Sequence, residues 1–494
     1  MDIILIQPPK PTFGSDAESH WTLTRPTSLF FLAAAIKKYT TFTVEIIDFE
    51  SRAYHDKNIE EVLRSRKARV FGITAVTFTR FEAIGIAKLV KNIYPDAFVV
   101  IGGVHFSFCA EDTLQRISAV DAIVRGEGEI PLVNLLQILD KGGDLSAVKG
   151  LSFRQSGTIV HNPEQNVFEN LDELPAYKEF NWEEYPEYLF GIHEKVKAVS
   201  VIASRGCPYH CIFCCKAGMK YRLRNVESVV DEMEYLKGTF NISGINFLDL
   251  TFTANPLHLK ALCTEIKRRK INLQWWCESR ANIPLESLEW MKQAGCVALV
   301  IGVESGSPTI LKNISKDISL EKVKSFCRRA AELGIIVQPY FMFSHPDETM
   351  EDVKKTLAFM GELEKSSATC SLQPTMIFPG TKIETIALKK GIVPPNFSWN
   401  EPFSSKLNIQ LGQLSNIPLF IDHLTPNEMR RIQSNRAKHV ARSQSALNAA
   451  SLTAAEAVAK AWQVIRERRS TIRYFVSPSF LRTFISAKRH YKKK

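Results

Sequence analysis

The fold is decided by the stretch AVSVIASRGCPYHCIFCC, residues 198–215, in which an apolar run leads directly into three cysteines spaced C-x3-C-x2-C. A short apolar run rich in β-branched residues indicates a buried strand. Cys207, Cys211 and Cys214 are therefore expected on the loop at the carboxyl end of that strand. Three thiolates on one loop can bind three irons of a [4Fe–4S] cube and leave the fourth iron open to a bidentate ligand.

Zinc is the alternative metal for these thiolates. A structural zinc site takes four ligands, and His210 or Cys215 could supply the fourth. The spacing, with Pro208 and Phe213 between the cysteines, is not a common zinc pattern, so the cluster is favoured while zinc stays open. Cys215 falls outside the three-cysteine pattern and is expected to pack beside the cluster.

Strands and helices alternate on both sides of this loop, which predicts an α/β protein. Residues 198–394 contain six apolar runs separated by amphipathic stretches, and this pattern fits a partial (β/α)6 barrel with its chemistry at the carboxyl ends of the strands. The six predicted strands are Ala198–Ala203, Gly244–Leu248, Gln274–Glu278, Ala298–Val303, Val337–Phe343 and Ser371–Thr375.

Residues 1–145 show the same alternation and predict a doubly wound, Rossmann-like domain. Its ligand should lie beyond the carboxyl ends of the strands. A nicotinamide site is disfavoured, because Gln7-Pro8-Pro9 stands where the glycine-rich dinucleotide turn would follow the first strand. The predicted strands are Ile3–Ile6, Val44–Ile47, Val70–Ile73, Phe98–Ile101 and Ala122–Val124, and the predicted helices include Ser28–Tyr39 and Phe81–Ile93.

Two further segments complete the predicted organisation. Residues 146–197 are rich in turns and are expected to form a linker with a hairpin, and residues 395–494 are expected to be mainly helical and basic. Residues 425–494 hold 16 Lys plus Arg against three acidic residues, whereas the whole chain has a net charge of +11. The basic character of the chain therefore belongs to its C-terminal part.

The cysteine loop resembles the signature of the radical S-adenosylmethionine (SAM) superfamily. In that family the open iron chelates the amino and carboxylate groups of SAM, and electron transfer to the sulfonium releases methionine and a 5′-deoxyadenosyl radical. The resemblance implies that Cys207, Cys211 and Cys214 bind the cluster. It also implies SAM contacts for four other residues: Phe213 with the adenine, Asp249 with the amino group, Arg280 with the carboxylate and Glu304 with the ribose.

The first domain, placed before such a barrel, resembles the cobalamin-binding domain of the B12-dependent branch of that superfamily. Glycine turns follow its fourth and fifth strands and would let the backbone approach a bulky ligand. The candidate cobalamin contacts in these turns are Gly102, Gly103, His105, Gly126, Glu127 and Gly128. His105 is expected to make a polar contact with the corrin or to be a satisfied loop histidine rather than a cobalt ligand.

Two departures from the family pattern bear on this expectation. No Asp-x-His-x-x-Gly motif occurs, so cobalamin should bind base-off without a histidine axial ligand. In the segment from Met342 to Thr349, Ser344 and Asp347 stand where relatives have glycine, which leaves the loop conformation open.

The activity implied by this resemblance is methylation of an unactivated carbon, with cobalamin as the methyl carrier. The alternatives are a B12-dependent cyclase, oxidase or rearrangement enzyme of the tetrapyrrole type, and a non-catalytic cobalamin sensor. A methylthiotransferase is disfavoured because the first domain has no second cysteine triad. The expected partners are a small-molecule substrate and a reductase, flavodoxin or ferredoxin that donates electrons.

The location of the protein is expected to be cytoplasmic, because the start MDIILIQPPK lacks a basic segment before its apolar run and no run is long enough to span a bilayer. Near the C-terminus, residues 472–489 mix aromatic and basic side chains, which suits either a helix that caps the barrel or peripheral contact with the inner membrane face. A membrane contact would favour a hydrophobic substrate. Nucleic acid is disfavoured, because no binding module accompanies the charge.

Overall fold

The computed structural model describes residues 1–10, 26–51, 53–54, 57–165, 168–175, 177–179, 198–216, 218–365, 370–401, 403, 405–411, 413 and 416–449. The predicted basic segment at 472–489 lies outside the described residues. Within the described part of the chain, no helix is both long and apolar enough to cross a membrane.

The first domain is a seven-stranded sheet in the order β2-β1-β3-β4-β5-β6-β7. Its first five strands are parallel and confirm the five that were predicted. The strands are β1 (Ile3–Gln7), β2 (Val44–Asp48), β3 (Val70–Thr74), β4 (Phe98–Gly102), β5 (Ala122–Val124), β6 (Leu151–Gln155) and β7 (Thr158–His161).

The predicted hairpin is β6–β7, and it does not stand apart as part of a linker. β6 pairs antiparallel with β5, so the hairpin extends the sheet of the first domain. The domain boundaries at 145, 197 and 394 stay predictions, but the first sheet continues past residue 145.

Helices cover both faces of this sheet. Apolar residues of α1 and α6 pack on one face with Ile3 and Leu5, while those of α2, α3 and α5 pack on the other face with Ile4 and Ile6. Successive side chains of β1 thus point into two different cores, one on each face, as a doubly wound sheet requires. The helices are α1 (Thr27–Tyr39), α2 (Ile59–Arg64), α3 (Arg80–Ile93), α4 (Val104–Phe108), α5 (Ala110–Arg116) and α6 (Glu129–Lys141).

The second unit is a six-stranded, all-parallel sheet in the order β15-β14-β13-β12-β11-β8. All six predicted strands are present, and β8 and β15 are its edges. These strands are β8 (Ala198–Val201), β11 (Gly244–Phe247), β12 (Gln274–Ser279), β13 (Cys296–Glu304), β14 (Ile336–Phe343) and β15 (Ser371–Pro374). A short antiparallel ribbon, β9 (Ser204–Arg205) with β10 (Arg222–Leu223), flanks the cysteine loop.

Helices connect the parallel strands of this second unit, which confirms the partial (β/α)6 arrangement. After β15 the chain continues as short helices and then a long basic helix, as predicted for the described part of 395–494. The helices are α7 (Val226–Phe240), α8 (Pro256–Arg268), α9 (Glu286–Gln293), α10 (Pro308–Asn313), α11 (Leu320–Glu332), α12 (Met350–Lys365), α13 (Lys382–Lys389), α14 (Lys406–Gln410) and α15 (Pro426–Ala449).

Candidate functional site

The cysteine loop is held between the two strands of the β9–β10 ribbon. The Cys207 amide donates to the Met219 carbonyl at 3.2 Å, and the Cys214 amide donates to the Cys211 carbonyl at 3.2 Å. Gly206 opens the loop with a φ of 84°, and a Cβ there would lie 2.0 Å from the Lys220 carbonyl oxygen. This close backbone approach requires glycine immediately before the first cysteine.

The Cys214 thiol lies close enough to the other cysteines of the loop to be affected by their charge. Burial, together with the neighbouring Cys215, Cys211 and Cys207 sulfurs, raises the pKa of Cys214 to about 11. Such a group of thiolates needs a cation to neutralise it. Sulfurs bound to one zinc would lie about 3.8 Å apart, given a Zn–S bond of about 2.3 Å. Among the described residues these three sulfurs are not all brought within 4.8 Å of one another.

Arg280, predicted to bind the SAM carboxylate, lies beside the cysteine loop. Its buried guanidinium stacks 3.8 Å from the centre of the Tyr209 ring, and Nη1 lies 3.7 Å from the Cys211 Sγ. Nη2 donates to the Asp317 carbonyl at 2.7 Å, but the buried Nε has no partner among the described residues. A buried, unpartnered donor beside the cluster loop fits a carboxylate ligand.

Asp249, predicted to contact the SAM amino group, is already engaged by the start of the cysteine loop. Its carboxylate accepts from the Ala203 amide at 3.0 Å and from the Ser204 hydroxyl. Burial raises the pKa of Asp249 to about 6 despite these hydrogen bonds. Asp249 therefore fixes the end of β8, and its contact with SAM stays a prediction.

Glu304, predicted to bind ribose hydroxyls, ends β13 at an irregularity in the strand. Its φ is 72°, and its carboxylate accepts from the buried Lys316 ammonium at 2.8 Å. The same ammonium lies 6.0 Å from the centre of the Phe213 ring, so the predicted ribose and adenine contacts share one neighbour. Both contacts stay predictions.

The loop after β14 lies against the ring of Phe213. The His345 ring is 6.4 Å from that ring, and its buried Nε2 has no hydrogen-bond partner among the described residues. Burial lowers the pKa of His345 to about 4 and raises that of Glu348 to about 7. Near pH 7 the His345 ring is therefore neutral, whereas Glu348 is only partly ionised.

Ser344 and Asp347, which replace glycines of the family pattern, both adopt the left-handed conformation that glycine favours. Their φ values are 67° and 60°. The Ser344 hydroxyl donates to the Phe420 carbonyl at 2.5 Å, and Asp347 pairs with Lys390 at 2.6 Å. These contacts offset the cost of the backbone conformation, so the loop keeps a glycine-type shape without glycine.

A cavity of about 450 Å³ lies between the first domain and the cysteine loop. Its first-domain side is built from the carboxyl ends of β3, β4 and β5, where a ligand of a doubly wound sheet is expected. Its barrel side includes Gly206, Cys215 and Met219. Three large apolar side chains that are more than a third exposed line it: Val76 at 46%, Phe108 at 47% and Leu248 at 37%. Exposed apolar groups concentrated in one cavity indicate a large ligand with apolar faces.

The predicted cobalamin glycines all line this cavity. A Cβ on Gly126 would meet no atom within 4 Å, which leaves the backbone open to a ligand, and one on Gly102 would make only ordinary contacts. Gly103 has a different role, because a Cβ there would lie 2.4 Å from the Ala75 carbonyl oxygen. Base-off binding of cobalamin stays a prediction.

His105 does not reach the cavity. Its ring is fully buried, contacts Phe106 and Trp399 edge-on, and lies with Nδ1 3.2 Å from the Thr77 hydroxyl. Burial lowers the pKa of His105 to about 3, so the ring is neutral. The structure places it in the interior of the protein, so the predicted corrin contact has no support from its position.

Glu127 lines the cavity, but its carboxylate faces two arginines of the cysteine-loop ribbon. It pairs with Arg205 at 3.2 Å and with Arg222. These arginines, together with Tyr209 and Lys316, are site residues that sequence reasoning missed. Tyr209 lies between the cysteines and could have been singled out, whereas nothing in the spacing indicates Lys316 or the arginine pairs.

Comparison with known proteins agrees with this geometry. The family model described as the radical SAM superfamily matches residues 201–360, and the B12 binding domain matches residues 22–136. The solved structure of the radical SAM methyltransferase TsrM from Kitasatospora setae, with tryptophan substrate and a SAM analogue, has the same fold. Its TM-score is 0.67 at 21% identity, over 87% of this chain and 88% of that one.

Curated relatives extend the comparison to sequence. An anaerobic magnesium-protoporphyrin IX monomethyl ester cyclase from Rubrivivax gelatinosus is 25% identical over 79% of this chain and 72% of its own length. An uncharacterised methyltransferase from Pyrococcus horikoshii is 31% identical over 80% of this chain and 84% of its own length. The chain therefore belongs to the cobalamin-dependent radical SAM family, whose members are enzymes that use a [4Fe–4S] cluster, SAM and cobalamin.

Proposed function

We propose that this enzyme is a methyltransferase that methylates an unactivated carbon of a small molecule. The observation that carries the proposal is the single cavity bounded by the glycine-lined sheet edge on one side and by the cysteine loop on the other. When bound, the cluster with SAM supplies hydrogen-atom abstraction and cobalamin supplies the methyl group. A substrate carbon that must meet both cofactors has to lie between the two sites.

The residues of this chain would bind the cofactors, orient them and exclude water from the site. Cys207, Cys211 and Cys214 would hold the cluster, and the free Nε of Arg280 would orient the SAM carboxylate. The apolar cavity wall, which includes Val76, Phe108 and Leu248, would keep water from the reacting centre. Gly102, Gly126 and Gly128 would let the backbone approach the corrin.

The test of the radical chemistry is the Cys211→Ala variant. We expect anaerobically reconstituted wild-type protein to form 5′-deoxyadenosine from SAM in the presence of a reductant, and the variant to form none, because the cluster loses one of its three ligands. Iron content and circular dichroism of the variant separate loss of the cluster from loss of the fold. 5′-Deoxyadenosine formation by folded, cluster-free variant protein would contradict the assignment.

A cyclase or oxidase is the second candidate, and the Rubrivivax relative favours it. The product mass decides between the two activities. With SAM carrying a deuterated methyl group, a methyltransferase yields a product that is heavier by the labelled methyl, whereas a cyclase or oxidase yields an unlabelled one. Comparison of extracts from cells with and without the gene supplies the candidate substrates.

We propose that a flavodoxin, ferredoxin or reductase reduces the cluster. We further propose that the basic C-terminal segment contacts an anionic membrane surface, with a hydrophobic substrate delivered from it. Each basic residue near such a surface contributes about 1 kcal/mol, and residues 472–494 include Arg473, Arg482, Lys488, Arg489 and the final Lys492-Lys-Lys494.

Co-sedimentation with anionic liposomes tests the membrane proposal. The full-length chain should sediment with vesicles that contain phosphatidylserine, and a chain ending at Arg469 should stay in the supernatant. Raising the salt concentration should release the full-length protein, because the attraction is electrostatic. Equal binding of the two chains, or no binding by either, would remove the proposal.

A further inference from the structure

Four charged residues connect the cobalamin-binding cavity directly to the cysteine loop. Glu127 lies on the turn after β5 and Glu129 begins α6, next to Gly126 and Gly128 in the cavity wall. Arg205 and Arg222 face each other across the β9–β10 ribbon, and only Gly206 separates Arg205 from Cys207. We call these four residues the clamp.

The clamp is closed by several contacts. Arg205 Nη1 lies 3.2 Å from Glu127 Oε2, and its Nη2 lies 2.7 Å from Glu129 Oε1. Arg222 binds both oxygens of Glu127 and also donates to the Phe168 carbonyl at 2.7 Å. The two carboxylates and two guanidinium groups balance in charge. Their side chains are between 4% and 16% exposed, so solvent screens the contacts weakly.

Stability alone does not account for this arrangement. Replacing a buried ion pair by apolar residues is often neutral or stabilising, because the charges must first be desolvated. What such a network does supply is a unique geometry, since each guanidinium fork fixes the direction of its carboxylate. The Arg205 side chain is held by two carboxylates of the first domain, while its backbone continues through Gly206 to Cys207.

We infer that the clamp is a positioning device that couples occupation of the cobalamin cavity to the geometry of the cysteine loop, so that cobalamin and SAM bind cooperatively. A ligand that contacts Gly126 and Gly128 restrains Glu127 between them. Glu127 then restrains Arg205 and Arg222, and the rigid backbone at Gly206 passes that restraint to Cys207. The inference rests on the family's cofactors and not on methyl transfer itself.

Binding measurements on the cluster-loaded protein test the clamp. Equilibrium dialysis with radiolabelled SAM, under oxidising anaerobic conditions that prevent turnover, gives the SAM dissociation constant with and without saturating hydroxocobalamin. We expect hydroxocobalamin to tighten SAM binding about fivefold or more in the wild type, within the usual range for coupled sites. SAM should tighten hydroxocobalamin binding by the same factor, because coupling is reciprocal.

The Glu127→Gln variant should bring both ratios to within about twofold of one while the cluster is retained. The matched control is Glu232→Gln, which breaks a buried pair with Arg224 at 2.6 Å; neither residue lines the cavity, so this variant should keep the wild-type ratio. If Glu127→Gln does not retain its cluster, Arg222→Lys decides by the same criterion. A wild-type ratio near one, or an undiminished ratio in a cluster-loaded clamp variant, would overturn the inference.

Discussion

At the scale of single residues, the adjacent glycines Gly102 and Gly103 have different structural roles. A side chain on Gly102 would project into the cavity without striking the backbone, whereas one on Gly103 would strike Ala75. Gly103 also has φ 95° and ψ 171°, a conformation that is essentially restricted to glycine. The sequence alone predicts one shared role for this pair, and only the φ values and neighbouring atoms separate the two.

Substitutions at Gly102 and Gly103 should therefore have different effects, the first on ligand binding and the second on stability. Gly102→Leu should weaken hydroxocobalamin binding at least tenfold with little change in thermal unfolding, because the leucine occupies ligand space. Gly103→Ala should lower the unfolding free energy by about 1–3 kcal/mol. Visible absorbance titration and anaerobic thermal unfolding measure the two effects. Equal hydroxocobalamin affinity of Gly102→Leu and wild type would place the corrin elsewhere.

The candidate cluster ligands can be singled out at this scale, whereas the surroundings of the predicted SAM contacts cannot. Cysteine spacing is a local property, so Cys207, Cys211 and Cys214 can be found from one stretch of sequence. Asp249 and Glu304 lie at the strand ends where they were expected, but their partners, Ser204 and Lys316, are brought to them by the tertiary structure. One chain carries no signal for such pairings.

At the scale of elements, the length of the apolar runs and their alternation with amphipathic stretches were sufficient to predict the strands. Most of the parallel strands in both sheets are buried, so their apolar runs are nearly continuous. The strands β12 and β15 are exceptions, because each contains exposed polar residues. The hairpin β6–β7 was predicted, but its position at the edge of the first sheet was not. Its pairing with β5 depends on Phe153 packing into the core next to Ala122, which is a contact distant in sequence.

The turn of this hairpin offers a test at the element scale. Ser156 and Gly157 both have positive φ, 50° and 81°, as a type I′ turn requires. Asparagine tolerates that first position better than serine, so Ser156→Asn should slow amide hydrogen exchange in β6 and β7 about twofold, which corresponds to about 0.4 kcal/mol. Gly157→Ala should speed exchange in the same strands. Faster exchange in Ser156→Asn would show that the turn does not limit hairpin opening.

At the scale of the whole molecule, one apolar core runs through both units. It includes Phe30 of α1, Val124 of β5, Leu174 of the connecting segment and Val199 of β8. The sequence divides the chain at a turn-rich segment, but side chains from both sides of that segment pack together. The relative position of the two cofactor sites is thus fixed by packing as well as by the clamp, and no single-sequence pattern reports it.

The exposed side chains of Val76, Phe108 and Leu248 have a practical consequence for anyone producing the protein. Cobalamin would cover them, so protein made in cells starved of the vitamin carries an adhesive patch at the mouth of its cavity. Light scattering should show larger particles in such preparations and a return to smaller ones when hydroxocobalamin is present during purification. Equal particle size with and without the vitamin would mean that the patch is not adhesive. If particle size does depend on the vitamin, the supply of a nutrient sets the yield of usable enzyme before any catalysis begins.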